Sequence, residues 1–258
     1  MNGIEIIAHG AIAQVWLNRP DLRNAFDDQL IAALHAAFIQ LGQDSTVRVI
    51  VLGGRGREFC AGADLHWMAK MAGYSAAENH QDALQLAQLL AAIYHCPKPV
   101  VARVHGACFA GGMGLAAACD VVVAASTATF CLSEVKLGLI PATISPYVIQ
   151  AIGAQAARRY FLTAERFDAI EAQRLGLVHV LAAPDECDQR LDALLAAIID
   201  NSPQAVQAAK KLVREISGQP IDASLLNDTA ARIAQARAST DGIEGIRSFL
   251  EKRPPTWR

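Results

Sequence analysis

Three features are missing from this sequence, and each absence excludes a class of protein. The charged residues leave a formal net charge of −2, which provides no general field for a nucleic acid or an anionic membrane. No stretch approaches the roughly 18 apolar residues that a membrane-spanning helix needs. The six cysteines show no Cys-x-x-Cys spacing, which favours reduced, buried thiols. We therefore expect neither a nucleic acid nor a membrane as a partner.

The sequence also lacks a cluster of metal-ligating residues, and its beginning lacks the basic flank of a signal peptide. We therefore expect no metal and a cytoplasmic location. Hydrophobic residues make up 53% of the chain and charged residues 19%. That composition is sufficient for a sizeable core and argues against disorder.

Apolar runs that alternate with amphipathic stretches predict an α/β fold. Strands are expected at 11–17, 47–54, 99–106, 120–126 and 127–132, and helices at 27–41, 76–95 and 111–119. Asp27 is expected to cap the first of these helices. The strands are almost continuously apolar, which is typical of a sheet that is covered on both faces and connected by right-handed crossovers.

The strand pattern disappears from about residue 183 onward. Amphipathic helices are expected near 184–200, 203–216, 220–237 and 239–252, separated by the breaker sequences NSP, SGQP and STDG. We therefore divide the chain into an α/β core, residues 1–182, and a helical C-terminal region, residues 183–258.

Two loops rich in Gly and Ala read EFCAGADL at 58–65 and HGACFAGGMG at 105–114. Residues 112–117 match the G-x-G-x-x-G/A motif of dinucleotide-binding folds. The next predicted strand begins at about Asp120, which leaves only about six residues where a crossover helix needs a dozen or so. The spacing argues strongly against a dinucleotide site.

The two loops are rich in residues with no side chain or only a methyl group, and two interpretations of this feature remain. Amides at the start of a helix lack intrahelical acceptors, and Gly and Ala let a ligand approach them closely. Two such amides, one from each loop, could converge on a single carbonyl oxygen and stabilise the negative charge that develops on it. Alternatively, both loops are only tight turns with close helix packing. The residues alone leave both interpretations open.

Five segments in order along the chain resemble one known family. They are LNRPDLRNAF (17–26), EFCAGADL (58–65), KPVVARVHGACFAGGMGLAAACDVVVA (98–124), FCLSEVKLGLIP (130–141) and LTAERFDAIEAQRLGLVHV (162–180). Together they resemble the enoyl-CoA hydratase/isomerase (crotonase) family over essentially the whole chain.

The resemblance implies a crotonase-like spiral of ββα units, with C-terminal helices that assemble a homotrimer or a dimer of trimers. It implies an acyl-CoA thioester as substrate, with CoA as part of that substrate and no separate cofactor. The family positions that bind the thioester oxygen through backbone amides correspond to Ala63 and Gly111. A side chain added at Gly111 is expected to project against the thioester.

Hydratases of this family commonly use two glutamates. The second corresponds to Glu134, but the first, 20 residues earlier, corresponds to Gly114, which has no side chain. One carboxylate could activate water and then return the proton to the α-carbon, as a hydro-lyase requires. A Δ3,Δ2-enoyl-CoA isomerase also needs only one, so Gly114 leaves both reactions open. A module that binds CoA esters or RNA without catalysis is the alternative that is not an enzyme.

The finer resemblance is to bacterial 3-methylglutaconyl-CoA and terpenoid glutaconyl-CoA hydratases. It rests on PATISP at 141–146, RRYFLTAERF at 158–167 and FLEKRPPTWR at 249–258. Substrates of that type carry a second carboxylate, which a polar pocket containing Thr143 and Ser145 could accept. The alternative is that the loop simply packs differently.

The resemblance also assigns residues to the CoA portion of the substrate. They are Arg23, Ala61, Ala63, Asp64 and Leu65, together with Phe249 and Lys252, which could reach the CoA of a neighbouring subunit. The side chain of Asp64 could equally well cap a helix.

Overall fold

The computed structural model describes residues 3–258, and over this range it contains nine strands in two sheets. The strands are β1 (Ile4–His9), β2 (Ile12–Leu17), β3 (Val49–Gly54), β4 (Val100–Val104), β5 (Ala107–Phe109), β6 (Val121–Ala125), β7 (Thr129–Cys131), β8 (Phe167–Asp168) and β9 (Val180–Ala182). The larger sheet has the order β1-β2-β3-β4-β6-β9, and all its pairs are parallel except β1–β2. In the smaller sheet, β7 pairs with β5 in parallel and with β8 in antiparallel orientation.

Ten α-helices are present in the same range. They are α1 (Asp28–Gln43), α2 (Leu65–Met71), α3 (Ala76–Tyr94), α4 (Gly111–Ala118), α5 (Ser145–Thr163), α6 (Ala169–Leu175), α7 (Cys187–Ile199), α8 (Pro203–Ile216), α9 (Ala223–Ala238) and α10 (Thr240–Leu250). None of them is both long and apolar enough to cross a bilayer.

The larger sheet is covered on both faces, as the apolar strands predict. In β3, Ile50 and Leu52 belong to the main core cluster, whereas Val51 points to the opposite face. There it joins Leu191 and Leu195 of α7. Because alternate residues of a strand face opposite sides, a strand buried on both sides must be apolar at every position.

The predicted helix α1 is confirmed, including its cap. The Asp27 carboxylate accepts a hydrogen bond of 2.9 Å from the Leu30 amide, so it satisfies one of the N–H groups that lack an intrahelical acceptor. Helix α3 begins at a complete capping box, in which Ser75 and Glu78 exchange backbone and side-chain hydrogen bonds.

Every described element after Ala182 is a helix, and the four predicted C-terminal helices are present. The Lys210 ammonium in α8 donates to the Asp120 carboxylate at 2.6 Å and to the Lys98 carbonyl at 2.9 Å. Arg48 donates to the Trp257 carbonyl at 2.9 Å. These contacts hold α8 and the end of the chain against the α/β core.

Sequence reasoning missed the strands β1, β5, β8 and β9 and the helices α2, α5 and α6. Strand β1 lies at the edge of the sheet and exposes both Ile6 and Ile7, so its sequence lacks the alternation of apolar and polar residues that indicates a strand. The segment predicted as a strand at 127–132 is confirmed as β7, but it lies in the smaller sheet.

Candidate active site

The loop that follows β2 forms the platform of the site. Arg23 and Asn24 both have left-handed backbone conformations, with φ of 53° and 55°, which are uncommon for residues other than Gly. The Asn24 side chain is fully buried. It donates to the carbonyls of Arg55 and Glu58 at 2.8 and 2.7 Å. The platform is thereby joined to the beginning of the first Gly- and Ala-rich loop.

Ala63, in the first loop, pairs with Phe26 of the platform in an isolated parallel bridge. The Phe26 amide donates to the Gly62 carbonyl at 2.9 Å, and the Asp64 amide donates to the Phe26 carbonyl at 3.0 Å. A parallel bridge of this type uses the groups on either side of the central residue. The Ala63 N–H therefore points away from Phe26, as an amide that binds a ligand requires.

The two Gly- and Ala-rich loops are bonded directly to each other. The Cys60 amide donates to the Ala107 carbonyl at 3.0 Å, and the Phe109 amide donates to the Cys60 carbonyl at 2.9 Å. A methyl group at Gly62 would lie 3.4 Å from the Ala110 side chain. The turn before α4 therefore lies beside the loop that carries Ala63.

Gly111 is the first residue of α4, so its amide has no intrahelical acceptor. The preceding residue, Ala110, has φ 48° and ψ −120°, a conformation that is strained for any residue with a side chain. A Cβ at Gly111 would overlap the ring of Phe26. This side of the glycine is packed against the platform, so the nearest protein atoms that an added side chain would meet are those of Phe26. The expected contact with the thioester stays a prediction.

The segments that carry Glu134 and Gly111 leave the smaller sheet at the same edge. Phe109 at the end of β5 pairs in parallel with Cys131 at the end of β7, and the Ala110 amide donates to the Cys131 carbonyl at 2.8 Å. Glu134 then begins a 3-10 helix, Glu134–Leu137. Since neighbouring parallel strands end at one edge, the carboxylate and the Gly111 amide are delivered to the same region.

The environment of Glu134 suits a group that transfers protons. The residue is partly buried, and its Oε2 atom is fully buried with no hydrogen-bond partner. Burial raises the pKa of the Glu134 carboxyl above its ordinary 4.5, and its own backbone amide offsets this only in part. An unpaired carboxylate of raised basicity is typical of a general base or acid.

The position of the missing glutamate is closed by packing. A Cβ at Gly114 would lie 2.8 Å from the Cβ of Ile144 and would overlap its Cγ2 atom. Ile144 is 1% exposed and belongs to the PATISP loop. That loop therefore fills the space into which a second acidic side chain would have to extend.

The remaining sequence-predicted site residues fall into two groups. Arg23 and Leu65 are exposed, and the Ala61 amide donates to the Arg23 carbonyl at 3.0 Å, so these three lie with the site loops. Phe249 and Lys252 lie at the exposed end of α10, which packs against α8 and α9. The structure of one chain does not bring them to the loops.

Asp64 is the N-cap of α2, as the alternative interpretation predicted. Its carboxylate accepts from the amides of His66 and Trp67 and is 5% exposed. The Glu165 carboxylate, which follows α5, forms an ion pair with Arg159 at 2.6 Å on the surface. Neither side chain is free to act on a thioester.

Sequence reasoning missed Arg19, Phe26 and Ile144. The first two lie in the LNRPDLRNAF segment, in which the resemblance assigns only Arg23 to the site. The signal for Ile144 was the absence of a side chain at Gly114, since a helix glycine often marks a close approach by another element. In the described part of the chain, no group of three or more metal-ligating side chains is present.

Comparison with known proteins shows the same family over nearly the whole chain. A family model described as enoyl-CoA hydratase/isomerase matches residues 8–258. The 2,3-dehydroadipyl-CoA hydratase of Escherichia coli (strain K12) is 34% identical over 243 residues, which cover 94% of this chain and 93% of that protein.

Solved structures agree with the fold closely. The crystal structure of an enoyl-CoA hydratase from Shewanella pealeana is 41% identical, with a TM-score of 0.96, and covers 99% of this chain and 96% of its own. Pseudomonas aeruginosa AtuE is 38% identical, with a TM-score of 0.94 and 99% coverage of both chains.

Proposed function

Because this chain belongs to the enoyl-CoA hydratase/isomerase family, we propose that it is a hydro-lyase that adds water reversibly across the 2,3 double bond of an enoyl-CoA thioester. The observation that carries the proposal is the buried, unpaired Oε2 atom of Glu134. It lies at the sheet edge that also presents the Gly111 amide. The hydratases among the relatives support the reaction type.

The proposed reaction uses one carboxylate twice. Glu134 removes a proton from water as the water oxygen bonds to C3. The electron pair of the double bond moves through C2 to the thioester oxygen, which becomes an enolate. The amides of Ala63 and Gly111 stabilise that oxygen. Protonated Glu134 then returns its proton to C2, so that the product contains one added water and the enzyme is regenerated.

A direct assay tests the reaction. The purified protein is incubated with a panel of enoyl-CoA thioesters, and loss of the conjugated-thioester absorbance is followed together with the product mass. We expect 3-hydroxyacyl-CoA, heavier than the substrate by one water. Binding of the panel without any turnover would contradict the proposal and indicate a CoA-ester sensor.

The second candidate is a Δ3,Δ2-enoyl-CoA isomerase, which the closed position at Gly114 favours because an isomerase needs only one carboxylate. Glu134 would then move a proton between C2 and C4. Reaction in deuterated water separates the two candidates. Hydration gives a 3-hydroxyacyl product that carries deuterium at C2, whereas isomerisation gives only a relocated double bond.

The acid limb of the pH–rate profile is expected to lie above pH 4.5. In the hydration direction Glu134 must be ionised in order to accept a proton from water. Because burial raises the pKa of Glu134 above its ordinary 4.5, kcat/KM should fall as the pH is lowered through that raised value. The profile of kcat/KM against pH measures the limb directly. A profile that stays flat down to pH 4.5 would contradict this role.

The close packing of Ile144 against Gly114 can be tested by moving side-chain volume from position 144 to position 114. Gly114→Ala alone overpacks the contact and is expected to cost about 1–3 kcal/mol of unfolding free energy. Ile144→Gly alone leaves a cavity and is expected to cost about 2–5 kcal/mol. The double variant should lose less than the sum, by about 0.5–3 kcal/mol, because each change relieves the other. Urea unfolding measures all three, and strict additivity would show that the two positions do not compete for space.

The proposed acyl group is of the 3-methylglutaconyl type, which carries a second carboxylate. Ser145 is the first residue of α5, and its hydroxyl donates to the Ala142 carbonyl at 2.8 Å. Helix α5 packs against the 3-10 helix that begins with Glu134. Thr143 and Ser145 therefore lie in the connection between the catalytic carboxylate and a helix N-terminus, where an anion is favoured. The Escherichia coli relative is likewise named for the CoA ester of a dicarboxylic acid.

The enoyl-CoA panel should therefore pair acyl groups of similar length with and without a terminal carboxylate. A higher kcat/KM for the dicarboxylic members supports the assignment. Ser145→Ala should lower kcat/KM only for those members, because only they offer a terminal carboxylate to which the hydroxyl can donate in place of the Ala142 carbonyl. Equal kcat/KM for the two members of every pair would contradict the assignment of a dicarboxylic acyl group. It would leave the hydratase proposal unaffected.

We also infer assembly into a homotrimer or a dimer of trimers. Large apolar side chains are exposed on the last two helices, namely Leu226, Ile233, Ile243, Ile246, Phe249 and Leu250. Exposed apolar surface of this extent is typical of a protein interface. In such an assembly Phe249 and Lys252 could contact the CoA of a neighbouring copy. Sedimentation of the purified protein gives the number of copies directly.

A further inference from the structure

Arg19 joins the platform to the loop that carries Ala63. Its Nη1 atom donates to the Ala25 carbonyl at 2.8 Å and lies 2.9 Å from the Asp27 carboxylate. Its Nη2 atom donates to the Asp64 carboxylate at 3.1 Å. The guanidinium side chain is 19% exposed, so water screens these ion pairs less than it would on the open surface.

The three partners of Arg19 flank both members of one backbone bridge. Ala25 and Asp27 lie on either side of Phe26, and Asp64 directly follows Ala63. Phe26 and Ala63 are the two bridged residues. One planar guanidinium group therefore fixes the spacing and orientation of the two segments whose bridge directs the Ala63 N–H.

The oxygens of Asp64 are already used within the protein. Oδ1 accepts from the His66 amide at 2.8 Å and from the Trp67 amide at 3.3 Å, and Oδ2 receives Arg19. Burial alone would raise the pKa of Asp64, but the two amides and Arg19 hold it below its ordinary value. The carboxylate is therefore ionised, both of its oxygens have partners within the protein, and the residue is 5% exposed, so its contacts are with the protein and not with the CoA portion of a substrate.

We propose that Arg19 and Asp64 are positioning residues, which aim the Ala63 amide at the thioester oxygen without touching the substrate. This proposal rests on the proposed function, because it assigns an oxyanion to the Ala63 amide. A misaligned donor stabilises the developing charge less while the rest of the substrate still binds. Substitution of either residue should therefore slow the chemical step and leave substrate binding nearly unchanged.

Three variants test the proposal. Asp64→Asn keeps an oxygen that can cap α2 but turns an ion pair with Arg19 into a contact without attraction. Arg19→Met removes the guanidinium, and Arg19→Lys keeps its charge without its forked geometry. If Arg19→Met does not fold, Asp64→Asn still decides the question. Asp222→Asn is the matched control, since Asp222 caps α9 in the same way.

We expect Asp64→Asn and Arg19→Met to lower kcat about 10- to 100-fold, with Arg19→Lys between them and the wild type. KM and the affinity for a saturated acyl-CoA should change less than threefold, and Asp222→Asn should match the wild type. An unreactive enoyl-CoA ester with an extended conjugated chain provides a readout that does not depend on turnover. Its absorbance shifts to the red when amides polarise the carbonyl, and this shift should decrease in both variants.

The outcomes separate this proposal from the proposed function. A wild-type protein with neither hydration nor a red shift would overturn both. A wild-type red shift that Asp64→Asn and Arg19→Met retain in full would overturn only the positioning role. If the variants lose only affinity for the CoA ester, the positioning role would also be overturned. Arg19 and Asp64 would then serve substrate binding rather than alignment of the Ala63 amide.

Discussion

Replacing Glu134 with Gln is expected to lower kcat by about 10²–10⁴-fold, the range typical of a general acid–base group. The amide has nearly the shape of the carboxylate but cannot accept a proton from water. Affinity for a saturated acyl-CoA should change little, because the substitution leaves the Ala63 and Gly111 amides in place. Steady-state kinetics and a binding titration measure the two effects separately. Glu165→Gln is the matched control, since Glu165 is paired with Arg159 on the surface, and it should retain wild-type turnover.

The same variant should be more stable than the wild type near neutral pH. Because burial raises the pKa of Glu134 in the folded state, the folded protein binds more protons than the unfolded chain between pH 4.5 and the raised value. The free energy of unfolding therefore falls as the pH rises through that window. Gln carries no charge to bury, so the gain in Tm should be present at pH 7 and absent below pH 4.5. A variant that is inactive and also less stable at pH 7 would indicate damage to the fold instead.

The sequence predicts local structure in this protein well where caps and periodicity agree. Helix α8 was predicted with its observed bounds, because Ser202 and Pro203 mark its start and its apolar stripe continues to the end. Asp27 was likewise predicted as a cap from the residues that follow it. Strand β1 was missed because its apolar side chains are exposed at a sheet edge, where the local pattern carries no signal of burial.

The candidate site could be predicted from the sequence as residue types at particular positions, but not in its geometry. The interpretation of the Gly- and Ala-rich loops as closely packed turns describes Gly111 and Gly114, and the interpretation of their amides as an oxyanion site stays a prediction. The faces of Gly111 and Gly114 that would carry a Cβ are close-packed, while the Ala63 amide points away from its bridge partner. Which face is packed depends on Phe26 and Ile144, and both are distant in sequence from the residues they touch. Periodicity and composition report burial, but they do not show which distant side chain provides it.

Glycine at position 111 is expected to be required for both stability and catalysis. Any Cβ there overlaps Phe26, which is 3% exposed and cannot move into open solvent. Gly111→Ala should therefore displace the Phe26 ring, and with it the bridge to Ala63, so that both amide donors are misaligned by one methyl group. Losing one such donor costs about 10²–10³-fold in kcat. We expect a loss of at least that size, together with about 1–3 kcal/mol of unfolding free energy from overpacking.

A second substitution separates the steric cause from a general loss of folding. Phe26→Leu shortens the side chain that the new methyl group meets, and on its own it should cost about 1 kcal/mol and leave the backbone bridge to Ala63 intact. In the double variant Gly111→Ala/Phe26→Leu, part of both losses should be recovered, and kcat should rise at least tenfold above that of Gly111→Ala. Urea unfolding and steady-state kinetics on the four proteins complete the cycle. If the double variant is as slow as Gly111→Ala while its stability recovers, the methyl group must act on the bound thioester, and the packing against Phe26 is not the reason for the glycine.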